Sequence, residues 1–178
     1  MNKSDLTRLP QYQTYIDQLP DISVNVVLHY SLEQLTQKQE EKLTIIGDEV
    51  YAPGKWRVPV ILQHMIDTER IMAYRALTFA RQDTTPLPSF DENDYADTTL
   101  ATTRTVASLI EELKLVRISN IYLFDSFSDE ALQRTGIANH KEISVATLAY
   151  VIAGHQAHHL RIIEEHYLPL AKTPLSPF

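Results

Sequence analysis

A stretch of helical periodicity from Val145 to Leu168 carries Gly154-His155-Gln156-Ala157-His158-His159 in its middle. In a helix with one buried face, His155 and His159 lie one turn apart, about 6 Å along the axis. Two imidazoles at that spacing can bind one transition-metal ion, because a neutral ring nitrogen suits zinc, nickel, copper or iron. They equally suit a plainer role, a half-buried pair making ordinary hydrogen bonds. Two side chains seldom hold a metal well, so the metal reading needs a third ligand from another helix. Of the histidines outside this cluster, His29, His64, His140 and His166, only His64 sits well inside a second long amphipathic run. The expected site is His64 with His155 and His159 in a helical bundle.

The position after the first histidine narrows the chemistry. In the familiar helical zinc motif it is a glutamate acting as general base. Here it is Gln156, which accepts no proton near neutral pH, so this is not the helix of a zincin protease. No strong general base stands out elsewhere, which mildly favours a thiol nucleophile over water. The chain has no cysteine. Disulfides, thiolate ligation and a cysteine nucleophile are thereby excluded, and any thiol must arrive as a cosubstrate.

Composition removes other classes. The net charge is −7, from 16 basic and 23 acidic residues with the basic ones dispersed, which argues against a nucleic-acid partner. No apolar run is long enough for a membrane span. MNKSDLTRLPQYQTY has no apolar leader, and with the missing disulfides this leads us to expect a cytoplasmic protein.

Four glycines in 178 residues and almost no strand-like alternation point to a single all-α domain. Met1 to Pro20 reads as a short, partly helical lead-in. The first long helix starts at Asp21 or Ser23 and runs to about Leu35, and a shorter one, Lys38 to Ile46, stops at Gly47. The second long helix runs from near Arg57 to Arg81, with Pro59 in its first turn. A polar connection, Gln82 to Thr98, is long for a bundle link, as functional loops often are. The third helix is expected over Leu100 to Phe127, a short helical turn at Ser128 to Ala131, and a loop over Gly136 to Glu142. Ser144 caps the fourth helix, and Pro169 ends it. Together these give an antiparallel four-helix bundle, a fold that builds metal sites between facing helices.

Several blocks carry a family resemblance. They are Tyr51-Ala52-Pro53-Gly54-Lys55-Trp56, then Leu62-Gln63-His64-Met65-Ile66-Asp67-Thr68-Glu69-Arg70 with Tyr74-Arg75-Ala76-Leu77, then Phe90-Asp91-Glu92-Asn93-Asp94-Tyr95, and the segment from Ala153 to Leu160. In order and spacing, over about Tyr51 to Leu168, they resemble the DinB-like superfamily. The resemblance implies a four-helix bundle with a three-histidine metal site, and its ligands fall on His64, His155 and His159. It also implies a divalent transition metal, often nickel or zinc, and a homodimer. Characterised members activate a low-molecular-weight thiol, transferring bacillithiol or mycothiol, or isomerising maleylpyruvate. The function expected is therefore metal-dependent transfer of a thiol to a small electrophile. The alternatives are a metal-dependent hydrolase or a metal-binding bundle without turnover.

Neighbouring residues keep two readings each. His158 points about 60° away from His155 on the helix wheel, which suits a supporting histidine better than a fourth ligand. Asp67 either orients the His64 ring by accepting its other N–H or is a solvated charge. A buried Arg75 would suggest recognition of an anionic substrate group, whereas an exposed one would be a surface ion pair. Trp56 reads as a core anchor. Asp91, Glu92, Asn93 and Tyr95 either cover the pocket or form a polar turn. His29, His140 and His166 are assigned to structure or surface. Beyond the core stripe of the third helix, Leu115, Ile118, Tyr122 and Phe124 form an additional apolar face that a partner subunit would cover.

Overall fold

The structure, a computed structural model, describes residues 1–171. Its helices in chain order are α1 (Pro10–Ile16), α2 (Val24–Glu33), α3 (Gln37–Ile46), α4 (Val58–Ala80), α5 (Glu92–Thr98), α6 (Val106–Asp125), α7 (Asp129–Gln133) and α8 (Val145–Ile162). Strands β1 (Thr135–Ala138) and β2 (Lys141–Ser144) lie between α7 and α8. No helix among the described residues is long and apolar enough to cross a membrane.

The long helices α2, α4, α6 and α8 form a four-helix bundle. The packed pairs are α4 with α8, α4 with α6, α2 with α8 and α2 with α6. Chain neighbours α2 and α4 therefore sit on a diagonal, as do α6 and α8. Every residue of α8 from Val145 to Gln156 is buried, as expected of a helix enclosed on several sides rather than along one stripe. Its start is set locally, for the Ser144 hydroxyl accepts from the Thr147 N–H at 3.1 Å. In α4, Pro59 lies in the first turn, where its missing N–H has no intrahelical acceptor.

Helix α1 crosses the outside of α8 next to the histidines, and Gly154 permits that approach. A Cβ built on Gly154 would stand 2.4 Å from the Tyr15 carbonyl oxygen. The lead-in expected at the N-terminus is thus a packed part of the bundle, with Ile16 buried against it.

Three expectations need correction. The segment Gly136 to Glu142 is a β-hairpin instead of a loop, with Gly136 opposite Ile143 and Ala138 opposite Lys141. Its two turn residues, Asn139 and His140, have φ of 50° and 60°, the conformation of a tight two-residue hairpin. The third long helix begins at Val106, not Leu100, because the Thr105 side chain caps it by accepting from the Ser108 N–H at 3.1 Å. The Gln82 to Thr98 connection holds a short helix, α5, capped by Asp91 Oδ1, which accepts from the Asn93 N–H at 2.8 Å. At the other end, α8 gives way to a π turn at Ile163–Tyr167 before Pro169.

Candidate metal centre

His64 on α4 and His155 and His159 on α8 turn their rings toward one point between the two helices. His155 Nε2 lies 3.0 Å from His64 Nε2 and 3.0 Å from His159 Nε2. One ligand nitrogen from each ring lies within 4.8 Å of the others. A ring nitrogen carries either one hydrogen or one in-plane lone pair, so His155 Nε2 cannot make a good hydrogen bond to both neighbours. A shared cation satisfies all three lone pairs together. Nitrogens about 2.0–2.1 Å from one ion lie about 3.0–3.4 Å apart, so the residues fit a metal.

Burial keeps these rings unprotonated. It pushes His155 well below the ordinary imidazole range, and His159, His64, His158 and Arg117 add to the effect. The same burial, with His64 and His158, takes His159 down to about 3. His64 is lowered as well, by desolvation, with Glu92 and Asp67 partly opposing it. The three rings are therefore neutral at physiological pH, the state that binds a metal.

The histidines lie on the wall of a cavity of about 290 Å³, bounded by α1, α4, α8 and the segment entering α5. Trp56 stands against His64, with ring centroids 5.1 Å apart, and also lines this cavity. It is half-buried, packs against the core as the sequence suggested, and also forms a wall of the site. Tyr15 of α1 meets the His155 ring edge-on at 5.5 Å. Burial, and next the field of Glu92, raise its pKa, so the phenol keeps its proton. Glu92 lines the cavity with His64. Of the residues expected to cover the pocket, Glu92 lines it beside Phe90, Asp91 caps α5, Asn93 lines a neighbouring cavity with His159, and Tyr95 packs on Phe90 at 5.4 Å.

The neighbours of the ligand positions divide. Arg75 is buried, with 3% of its surface exposed, and lines the cavity. Asp67 accepts from Gln63 Nε2 at 2.9 Å and lies 3.9 Å from Arg70; no hydrogen bond joins it to His64, on which it acts through its field alone. His158 packs against Tyr15 at 5.1 Å and against His159 at 5.1 Å, and lies outside the three-nitrogen cluster. His29, His140 and His166 are exposed. Gln156, in the place of the protease glutamate, faces away from the cluster and donates to the Ser31 carbonyl at 2.6 Å.

One feature beneath the site escaped the sequence reading. Glu69 and Arg117 form a buried ion pair, and Asn120 Nδ2 donates to Glu69 Oε1 at 3.1 Å. Arg117 Nη1 also donates to Ser31 Oγ, and the Ser31 carbonyl receives Gln156. This network ties α2, α4, α6 and α8 together one residue away from His155. The one available signal was a charge at Arg117, one position after Val116 in the α6 stripe, whereas Glu69 sits unmarked in the polar run Asp67-Thr68-Glu69-Arg70 of α4.

Similar proteins are found by sequence and by fold. A protein of Oceanobacillus iheyensis named "Putative metal-dependent hydrolase OB0413" is 28% identical over 142 residues, covering 75% of this chain and 79% of that relative. YfiT from Bacillus subtilis, described as a probable metal-dependent hydrolase with an unusual four-helix bundle topology, superposes with a TM-score of 0.64 at 17% identity. That match covers 90% of this chain and 88% of YfiT, and shows a common fold. The family model of the DinB superfamily matches residues 16–163, and the chain belongs to that superfamily.

Proposed function

We propose that the chain is a metal-dependent hydrolase of small molecules, with His64, His155 and His159 as the metal ligands. The observation that carries this reading is the convergence of three neutral imidazole nitrogens on a cavity that also presents a carboxylate. A divalent transition metal held there, zinc or nickel by the family resemblance, would supply Lewis acidity toward an oxygen or sulfur atom. Glu92 then stands where a carboxylate oxygen can take a proton from an attacking water, the role that Gln156 cannot fill. The Tyr15 hydroxyl, kept protonated by burial, can donate a hydrogen bond to the oxygen that gains charge during attack. Trp56 and Phe90 keep bulk water from the approach to His64.

Thiol transfer is the second reading. It uses the same metal and cavity, with the nucleophile arriving as a low-molecular-weight thiol cosubstrate because the chain has no cysteine. Glu92 tips the balance toward water, since a thiol needs less help to lose its proton.

The fold also supports a homodimer. Leu115, Ile118 and Tyr122 are 60%, 40% and 75% exposed along one outer stripe of α6. Phe124, expected on that face, is instead in the core. The metal cavity lies on the α4–α8 side, so a partner on α6 leaves it open to a small-molecule substrate.

The test loads chelator-treated protein with one divalent metal at a time and screens ester, amide and thiol-plus-electrophile panels. Metal-dependent hydrolysis that falls in Glu92→Gln supports the proposal. Turnover seen only with an added thiol replaces it with the second reading.

A further inference from the structure

We infer that the cavity binds a substrate carrying a carboxylate, which Arg75 and Thr68 receive while the reacting end lies at the three histidines. The inference rests on the metal-dependent reading of that site. His64, Thr68, Met72 and Arg75 share one stripe of α4, and all four line the cavity. Arg75 is 3% exposed. Its Nη2 donates to the Pro88 carbonyl at 2.8 Å, and its Nη1 lies 3.6 Å from Met72 Sδ. A guanidinium has five N–H donors, so these contacts leave several of them free to serve a ligand. Among the described residues Arg75 forms no ion pair; the carboxylate of Glu92, on the same cavity, is not within pairing distance. A buried cation without a counter-charge is costly unless something supplies the anion.

Thr68 gives an independent sign. It is 4% exposed, lines the same cavity, and its Oγ1 has no hydrogen-bond partner. Buried polar atoms are nearly always paired, so an orphan hydroxyl at a cavity wall marks a place for a ligand atom. A carboxylate accepts from both groups at once, from the guanidinium by charge-assisted bonds and from the hydroxyl by one more. Arg75 lies eleven residues after His64, about 16 Å along the helix. Its arm turns back toward Met72 and shortens that span. Thr68, which meets the same carboxylate, stands only four residues from His64, about 6 Å along the helix, so the carboxylate and the labile group of the substrate are separated by a short span.

The test is calorimetric titration of the metal-loaded protein with ω-carboxyalkyl hydroxamates of graded chain length, each compared with its terminal carboxamide. The hydroxamate head reports the metal, and the tail reports Arg75. At the best length the carboxylate should bind at least about tenfold more tightly than the carboxamide. Arg75→Gln should bring that ratio to about one while leaving carboxamide affinity within about twofold; Arg75→Lys should keep part of the preference. Equal binding of the two probes to the unaltered protein, or a preference that survives Arg75→Gln, overturns the inference and leaves the metal reading intact. Should the protein take up no metal, the proposed function fails, and hexanoate against hexanamide on the metal-free protein still decides the matter. Carboxylate preference there supports the anion site, and its absence overturns it.

Discussion

Arg117 grips Glu69 through two hydrogen bonds, Nε to Oε1 at 2.7 Å and Nη2 to Oε2 at 2.9 Å, with the two side chains 1% and 3% exposed. The pair crosses from α6 to α4 in the bundle interior. Removing one partner leaves the other charge buried, so Glu69→Leu or Arg117→Met alone should cost roughly 3–5 kcal/mol. Replacing both with apolar residues, Glu69→Leu with Arg117→Met, should cost much less than the sum of the single changes. Denaturant titration of the four proteins measures the coupling. Single variants as stable as the parent would mean that the pair does not hold the helices.

Gly154 should tolerate no side chain. In Gly154→Ala the new methyl would meet the Tyr15 carbonyl, so α1 must move off α8 or the core must strain. Overpacking of this kind costs about 1–3 kcal/mol. Because Tyr15 lines the cavity, metal affinity should weaken as well. A thermal melt with a parallel metal titration checks both effects, and unchanged values would show that α1 is not tightly seated there.

The metal-free protein should lose stability as the solution is acidified. An unfolded imidazole titrates near about 6.5, whereas His159 in the fold is held at about 3 and His155 is lowered too. Between those values the unfolded chain binds more protons, so stability rises with pH. This contribution is complete above about pH 6.5 and is lost progressively toward pH 3. Melting temperatures across that range should fall with acid, and less steeply in His159→Asn. A flat profile for the parent would contradict the buried, neutral state of these rings.

Assembly should depend on the outer stripe of α6. Tyr122→Lys combined with Leu115→Lys should turn a dimer into a monomer in light scattering while leaving the metal site able to load. A dimer that persists would place the interface elsewhere.

What could be read from the chain in advance follows from the range of each interaction. His155 and His159 are four apart on one helix, so their pairing was visible in the spacing itself. His64 was reachable because its own helix has a long, clear period, and the family resemblance pointed to the same residue. The hairpin was hidden because strands of four residues, such as Thr135–Ala138, are too short to show alternation. Thr105 displaced the start of the third helix by a cap that the neighbouring Thr102 and Thr103, equally able to cap by residue type, obscured. Arg117 and Glu69 could not be matched in advance, since their contact joins positions 48 apart and neither shows its partner locally. Glu92 was readable either as a cover of the pocket or as part of a polar turn; its place beside His64 depends on how the long connection folds back over α4.

The imidazoles of His64, His155 and His159 should together hold one metal ion. Elemental analysis of untagged protein, dialysed against a divalent metal and then desalted, tests it most directly. The parent protein should retain about one equivalent per chain, and His64→Ala, His155→Ala or His159→Ala almost none, with each variant still folded by circular dichroism. A folded parent that takes up no metal, or a His159→Ala variant that retains a full equivalent, would contradict it.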